Sequence, residues 1–114
     1  AELAERGVAA GFVVAGIGSL SRTPLRFAGR AEPAELTGDQ ELIALSGSVS
    51  PDGSHLHAIV SSADGEVSAG HLAYGSVVRT TAEVLLALLP EWSFSRAYDP
   101  RTGYQELHIG RVKP

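Results

Sequence analysis

The sequence predicts one strand-rich α+β domain with a single helix at its start. Its 114 residues suffice for one domain with one modest hydrophobic core. Hydrophobic residues make up 44% of the chain and charged residues 19%, a balance typical of folded globular proteins. Short apolar runs, separated by turns that contain glycine or proline, recur along nearly the whole sequence. This spacing favours a largely antiparallel sheet over packed helices.

The first half of the chain supplies the helix and two long strands. Residues 1–8 have a helical pattern, but so short a helix needs packing against the sheet. Residues 11–18 form an apolar run closed by glycines, which suits a buried strand. After a loop with a brief strand at residues 25–27, residues 41–49 are predicted as a long strand, bent at Gly47.

The second half contains two predicted hairpins. Residues 54–62 and 66–72 flank the turn Ala-Asp-Gly, and residues 93–98 and 104–109 flank Asp-Pro-Arg-Thr-Gly. Between them, residues 77–89 are ambiguous, because their leucines suit a helix whereas their valines and threonines suit a strand. The residue pattern alone leaves both possibilities open for this segment.

Composition excludes several functional classes. The absence of cysteine excludes disulfides, thiolate metal sites and thiol nucleophiles. The longest apolar run, residues 84–89, is far shorter than the roughly 20 residues of a membrane-spanning helix. No signal-peptide pattern is present, so we expect a cytoplasmic protein without membrane contact. A net charge of −4 is unfavourable for a free-standing nucleic-acid binder.

Three of the four histidines are predicted to converge on one face of the sheet. His55 and His57 are two residues apart on one strand, so both imidazoles point the same way. A two-residue turn would place His71 on the opposite face. A three-residue turn with Gly65 in the left-handed conformation pairs His57 directly with His71, and glycine stands where that turn requires it.

Such a cluster has the donor set of a divalent-metal site. Three imidazoles with a fourth position left for water is an arrangement typical of catalytic zinc, although iron, nickel or copper also accept nitrogen ligands. The same pattern also fits three histidines that hold no metal. His108, in the last predicted strand, is interpreted as an ordinary strand histidine.

Six stretches of the sequence, taken in order, carry a resemblance to a known family. They are GIGSL at 16–20, ELIALSG at 41–47, HLH at 55–57, GHL at 70–72, TAEV at 81–84 and RAYDPRTGY at 96–104. On these stretches the sequence is similar to the plants-and-prokaryotes conserved domain (PPC or PCC), which follows the AT-hook in plant AT-hook nuclear-localised proteins. Ala69 replaces the first glycine of the family's GGHL motif.

The resemblance implies a fold, an assembly and a ligand set. The family fold is a twisted, largely antiparallel sheet of about seven strands flanked by helices, similar to that of acetolactate decarboxylase. On this basis residues 1–114 are one PPC domain of the prokaryotic stand-alone type, and residues 77–89 form a long strand. The strand that opens the family fold is expected to be absent. Prokaryotic members are homotrimers, and some hold a metal, usually zinc, on histidines that match His55, His57 and His71.

Three functions follow as alternatives, and whether the protein is an enzyme stays open. The first is a trimeric zinc-binding module with one ion per subunit, which binds an unidentified small molecule. The second is a DNA-associated regulator acting through oligomerisation and partner proteins. The chain lacks the Arg-Gly-Arg-Pro hook, and its cluster of Arg22, Arg26 and Arg30 has acidic neighbours, so direct DNA contact is not expected.

The third alternative is a metal-dependent lyase or hydrolase. Such an enzyme needs a general acid or base near the metal, and Glu83 is the candidate because TAEV belongs to the same sheet. Glu83 could instead orient a histidine or pair with Arg79. Arg26 and Arg96 could hold a carboxylate substrate, or each could hold a loop in place.

Overall fold

The computed structural model describes residues 2–113 and is built almost entirely of strands. The one helix of this part of the chain, α1, spans Glu2–Glu5. The strands are β1 (Gly11–Arg22), β2 (Pro24–Arg26), β3 (Ala34–Glu35), β4 (Gln40–Ser50), β5 (Gly53–Ser62), β6 (Val67–Leu72), β7 (Val77–Leu88), β8 (Trp92–Asp99) and β9 (Tyr104–Arg111).

Seven strands form one antiparallel sheet in the order β3-β2-β6-β5-β4-β1-β7, and β8 and β9 form a separate hairpin. The predicted strands are therefore present, and the ambiguous segment 77–89 is the long edge strand β7. The expected flanking helices are not found within residues 2–113, where strands and turns use nearly all of the chain. None of the helices described is long and apolar enough to cross a membrane. The part of the predicted N-terminal helix at residue 1 lies outside the described residues.

The sheet has a core face and an open face. The core face carries the buried cluster Val13, Leu20, Leu25, Leu42, Leu45, Ala58 and Val60. The open face carries the apolar side chains Phe12, Val14, Ile17, Ile43, Ile59 and Leu85, which are between 41% and 62% exposed. Strand β5 illustrates the alternation: His57 is exposed, Ala58 is buried, Ile59 is exposed and Val60 is buried.

The alternation is interrupted once in β1 and once in β4. Val14 and Ala15 are both exposed, as are Ile43 and Ala44, and the strand registers shift at these points. Such an extra residue is a β-bulge, which increases the local twist. The bend predicted at Gly47 is not where the register shifts; Gly47 instead has a φ of +150° beside the backbone of β5.

The β8–β9 hairpin packs on the open face of the sheet, near the turn that connects β4 and β5. The backbone N–H of Arg96 donates to Asp52 Oδ2 (2.8 Å), and Arg96 Nη2 donates to Ser48 Oγ (2.7 Å). Ser48 lies opposite His55 in the register and yet is only 6% exposed, because Arg96 covers it. The hairpin therefore forms one wall beside the histidines.

Candidate metal centre

The turn between β5 and β6 sets the register of the histidine cluster. Gly65 has a φ of +83°, and its N–H donates to the Ser62 carbonyl (3.0 Å). Ser62 Oγ accepts the N–H groups of Asp64 and Glu66, which closes the turn. This is the predicted three-residue connection, and it pairs His57 with His71 as expected.

The three imidazoles meet on the open face. The ring centroid of His57 lies 5.1 Å from that of His55 and 4.7 Å from that of His71. His55 and His71 stack at 5.1 Å, with His55 Nε2 3.2 Å from His71 Nδ1. One candidate nitrogen from each residue lies within 4.8 Å of the others.

These distances fit a small metal ion. Ligand nitrogens about 2.05 Å from a tetrahedral zinc are roughly 3.3 Å from each other. The separation of 3.2 Å between His55 and His71 already matches this value, and His57 needs only a small adjustment. The chemistry of the donors fits as well, since neutral imidazole nitrogen is a preferred zinc ligand.

The surroundings favour neutral imidazoles. Burial lowers the pKa of His55, and the positive charge of Arg96 lowers it further. Burial also lowers the pKa of His71, followed by the charge of Arg26. Because the ordinary histidine pKa is about 6.5, both rings are in the metal-binding form near neutral pH.

A cavity of about 580 Å³ opens beside the cluster. Its lining includes Arg26, Asp52, His55, His71, Arg96 and Glu106. Arg26 lies on β2 directly opposite His71, and its Nη1 donates to the Arg30 carbonyl (3.2 Å). Each arginine thus holds a neighbouring segment in place and also faces the cavity, so the two roles considered from the sequence are compatible.

The structure separates two other residues from the cluster. Glu83 lies on β7 opposite Ile17, three strand spacings from β5, which is roughly 14 Å. Within one chain, Glu83 therefore does not reach the histidines. His108 pairs with Ser95 in the β8–β9 hairpin and lines a separate depression with Asp99.

Sequence reasoning missed two carboxylates near the histidines. Asp52 stands in the turn that precedes His55, and this closeness along the chain was a usable signal. Glu106 comes from β9, far away in sequence, and its negative charge acts to raise the pKa of His55, against the larger lowering effects of burial and Arg96. Only the docking of the hairpin brings Glu106 to the site, so no local pattern could have identified it.

Comparison with known proteins identifies the class to which this sheet and histidine cluster belong. Residues 1–90 match the model of the Plants and Prokaryotes Conserved (PCC) domain. The chain is a member of this family. The β8–β9 hairpin, with Arg96 and Glu106, lies beyond the matched segment.

Solved structures share the fold over nearly the whole chain, hairpin included. A hypothetical protein from Salmonella enterica is 37% identical with a TM-score of 0.91, covering 96% of this chain and 80% of that one. A metal-containing protein from Archaeoglobus fulgidus is 31% identical, with a TM-score of 0.74 over 92% of this chain and 78% of that one. A protein from Bacteroides thetaiotaomicron, described as a candidate DNA-binding protein, is 26% identical, with a TM-score of 0.75 over 94% and 78%.

The chain is also similar to part of a larger protein. Two Synechococcus proteins, each described as the bifunctional protein GlmU, are 50% identical to it over 103 residues. The match covers 90% of this chain but only 17% and 16% of those proteins. The chain thus spans about a sixth of the length of these curated relatives.

Proposed function

We propose that this PPC domain binds one zinc ion per subunit through His55, His57 and His71, and presents it to a small molecule in the adjoining cavity. The convergence of three imidazoles on one sheet face is the observation that carries the proposal. The similarity to a metal-containing archaeal protein supports it.

Zinc is the ion that best suits this donor set. Three neutral nitrogen ligands leave the fourth coordination position of zinc for water or a small molecule. The cluster borders a cavity large enough to hold such a molecule. When bound, the ion would act as a Lewis acid toward an oxygen of that ligand. Asp52 and Glu106 line the same cavity and are better placed than Glu83 to exchange a proton there, which keeps a metal-dependent lyase or hydrolase as an alternative.

We also propose that the protein is a homotrimer. The open face exposes a row of apolar side chains across several strands, an arrangement that marks an interaction surface. Strand β7 is an edge of the sheet, twelve residues long and mostly exposed. Further copies of the chain would cover both features.

A DNA-associated role is the second candidate, favoured by the description of the Bacteroides relative. In this chain two arginines of the cluster Arg22, Arg26 and Arg30 are engaged elsewhere. Arg22 is paired with Glu35 at 2.6 Å, and Arg26 lines the histidine cavity. With a net charge of −4, a role through oligomerisation or partner proteins fits better than direct phosphate contact.

Two histidine variants test the metal proposal. Protein purified without chelator should contain zinc, and His57→Ala should abolish zinc binding in calorimetry, because it removes one of the three ligand nitrogens. His108→Ala is the matched control and should bind zinc normally, because it changes a histidine outside the cluster. If wild-type protein neither contains metal nor binds added zinc at micromolar concentration, the proposal is wrong.

A further inference from the structure

Two arginines flank the histidine cluster from opposite sides. Arg26 on β2 is the cross-strand partner of His71, one strand spacing away. On the other side, Arg96 reaches from the β8–β9 hairpin to Ser48, the cross-strand partner of His55. Both arginines are half-buried and line the same cavity as His55 and His71.

Their contacts differ from those of other arginines in the chain. Arg22, Arg79 and Arg101 each form an ion pair with an acidic side chain. The side chains of Arg26 and Arg96 donate instead to neutral oxygens, a backbone carbonyl and a serine hydroxyl. A guanidinium group has five N–H donors, so these contacts leave N–H donors on each arginine for a ligand.

The remaining lining indicates what kind of anion fits. Asp52 and Glu106 place two carboxylates in the cavity with the two arginines, so the charges of the four side chains balance. A phosphate dianion would add two negative charges to this balanced lining, whereas a carboxylate adds only one. Carboxylate oxygens also accept hydrogen bonds from a hydroxyl group on the ligand. The cavity, about 580 Å³, falls within the range of small-molecule sites.

We infer that the ligand of this site is a small hydroxylated carboxylate, held by Arg26 and Arg96 next to the three histidines. This inference rests on the proposed zinc site for the ligand's position at the metal, but the arginine contacts stand on their own. The carboxylate pairs with the guanidinium groups, and a hydroxyl donates to Glu106 or Asp52. An oxygen of the same molecule lies toward the fourth metal position.

The test uses lactate as the probe, with lactamide as its neutral counterpart and inorganic phosphate as the competing anion. The zinc-loaded 114-residue chain should bind lactate in calorimetry more tightly than either of the other two. Arg96→Gln and Arg26→Gln should each weaken lactate binding by roughly tenfold or more, because each removes a charged hydrogen bond. Both variants should still bind zinc, because neither change removes one of the three histidine ligands.

Arg79→Gln serves as the control, because it removes an arginine that pairs with Asp39 at the far edge of the sheet. It should leave lactate binding unchanged. If Arg96→Gln does not fold, Arg26→Gln provides the same comparison from the other side of the site. Wild-type protein that binds lactamide or phosphate as well as lactate, or arginine variants that bind lactate normally, would overturn the inference.

A measurement on zinc-free protein separates this inference from the metal proposal. Without zinc, lactate should bind more weakly but should still lose affinity in Arg96→Gln. If zinc does not bind but this arginine dependence remains, the metal proposal fails and the carboxylate site stands. If zinc binds and the arginine dependence is absent, the metal proposal stands and the carboxylate site fails.

Discussion

Gly47 is the backbone position on which the geometry of the histidine cluster depends most directly. It lies on β4 opposite Leu56, between the partners of His55 and His57. Its φ of +150° is a conformation that side-chain-bearing residues rarely adopt. A Cβ atom added to Gly47 would overlap the carbonyl oxygen of His55 and would also press on the backbone of Leu56.

We expect Gly47→Ala to destabilise the protein and to weaken zinc binding together. The unfavourable φ costs about 1–3 kcal/mol. Displacing β5 to relieve the overlap costs a further 1–3 kcal/mol or so. The combined loss of roughly 2–6 kcal/mol is a large part of the total stability of a small domain. Because the displaced residue is itself a ligand, zinc affinity should fall by roughly tenfold or more.

Gly38→Ala is the matched control. Gly38, in the loop before β4, also has a positive φ, +79°, but an added Cβ atom would meet nothing within 4 Å. This variant should therefore lose only about 1–2 kcal/mol of stability, the cost of a side chain in the left-handed conformation, and should keep most of its zinc affinity. Urea denaturation and zinc calorimetry on both variants measure the difference. Equal stability losses, or wild-type zinc affinity in Gly47→Ala, would show that the contact with His55 does not control the site.

Two further predictions concern pH and assembly. Zinc occupancy should fall on acidification, but only below the ordinary histidine pKa of about 6.5, because the pKa values of His55 and His71 are lowered in the folded protein. In zinc-free protein the unfolded chain then binds more protons than the folded one. The stability that these histidines contribute is therefore present above the ordinary pKa and is lost as pH falls from there through their lowered pKa values in the folded protein. A denaturation midpoint independent of pH across this range would contradict the reasoning. Light scattering should give about three times the chain mass of 11.9 kDa, and Ile17→Lys, which charges the open face, should dissociate the assembly whereas Tyr74→Lys on an exposed turn should not. A wild-type monomer at micromolar concentration would refute the homotrimer.

Local patterns were sufficient to predict the histidine cluster. The spacing of His55 and His57 fixes their common face, and the position of Gly65 fixes the turn that brings His71 opposite His57. Both features depend on residues within one hairpin. Strand periodicity and turn residues likewise identified most strands, and the family resemblance decided the ambiguous segment that forms β7.

Two features could not be predicted in the same way: which residues of β1 face the core, and what the β8–β9 hairpin contributes to the site. On β1, Val13 is buried in the core, whereas Phe12, Val14 and Ala15 are all exposed. A bulge after Val13 changes which residues share a face, and simple alternation does not show where a bulge lies. The contributions of Arg96 and Glu106 depend on how the β8–β9 hairpin docks, a contact between segments distant in sequence.

The division of the sheet into two faces separates the stability of the fold from the chemistry of the site. The buried apolar cluster lies on the core face, whereas the histidines lie on the open face, on strands whose backbone pairing needs no metal. Loss of zinc should therefore leave the domain folded, unlike small zinc domains whose folding free energy is the metal-binding free energy. Zinc should still raise the melting temperature, because it binds the folded state alone. Substitutions on the open face, such as at Arg26, should therefore change what the site binds while the core that holds the histidine strands in register stays intact.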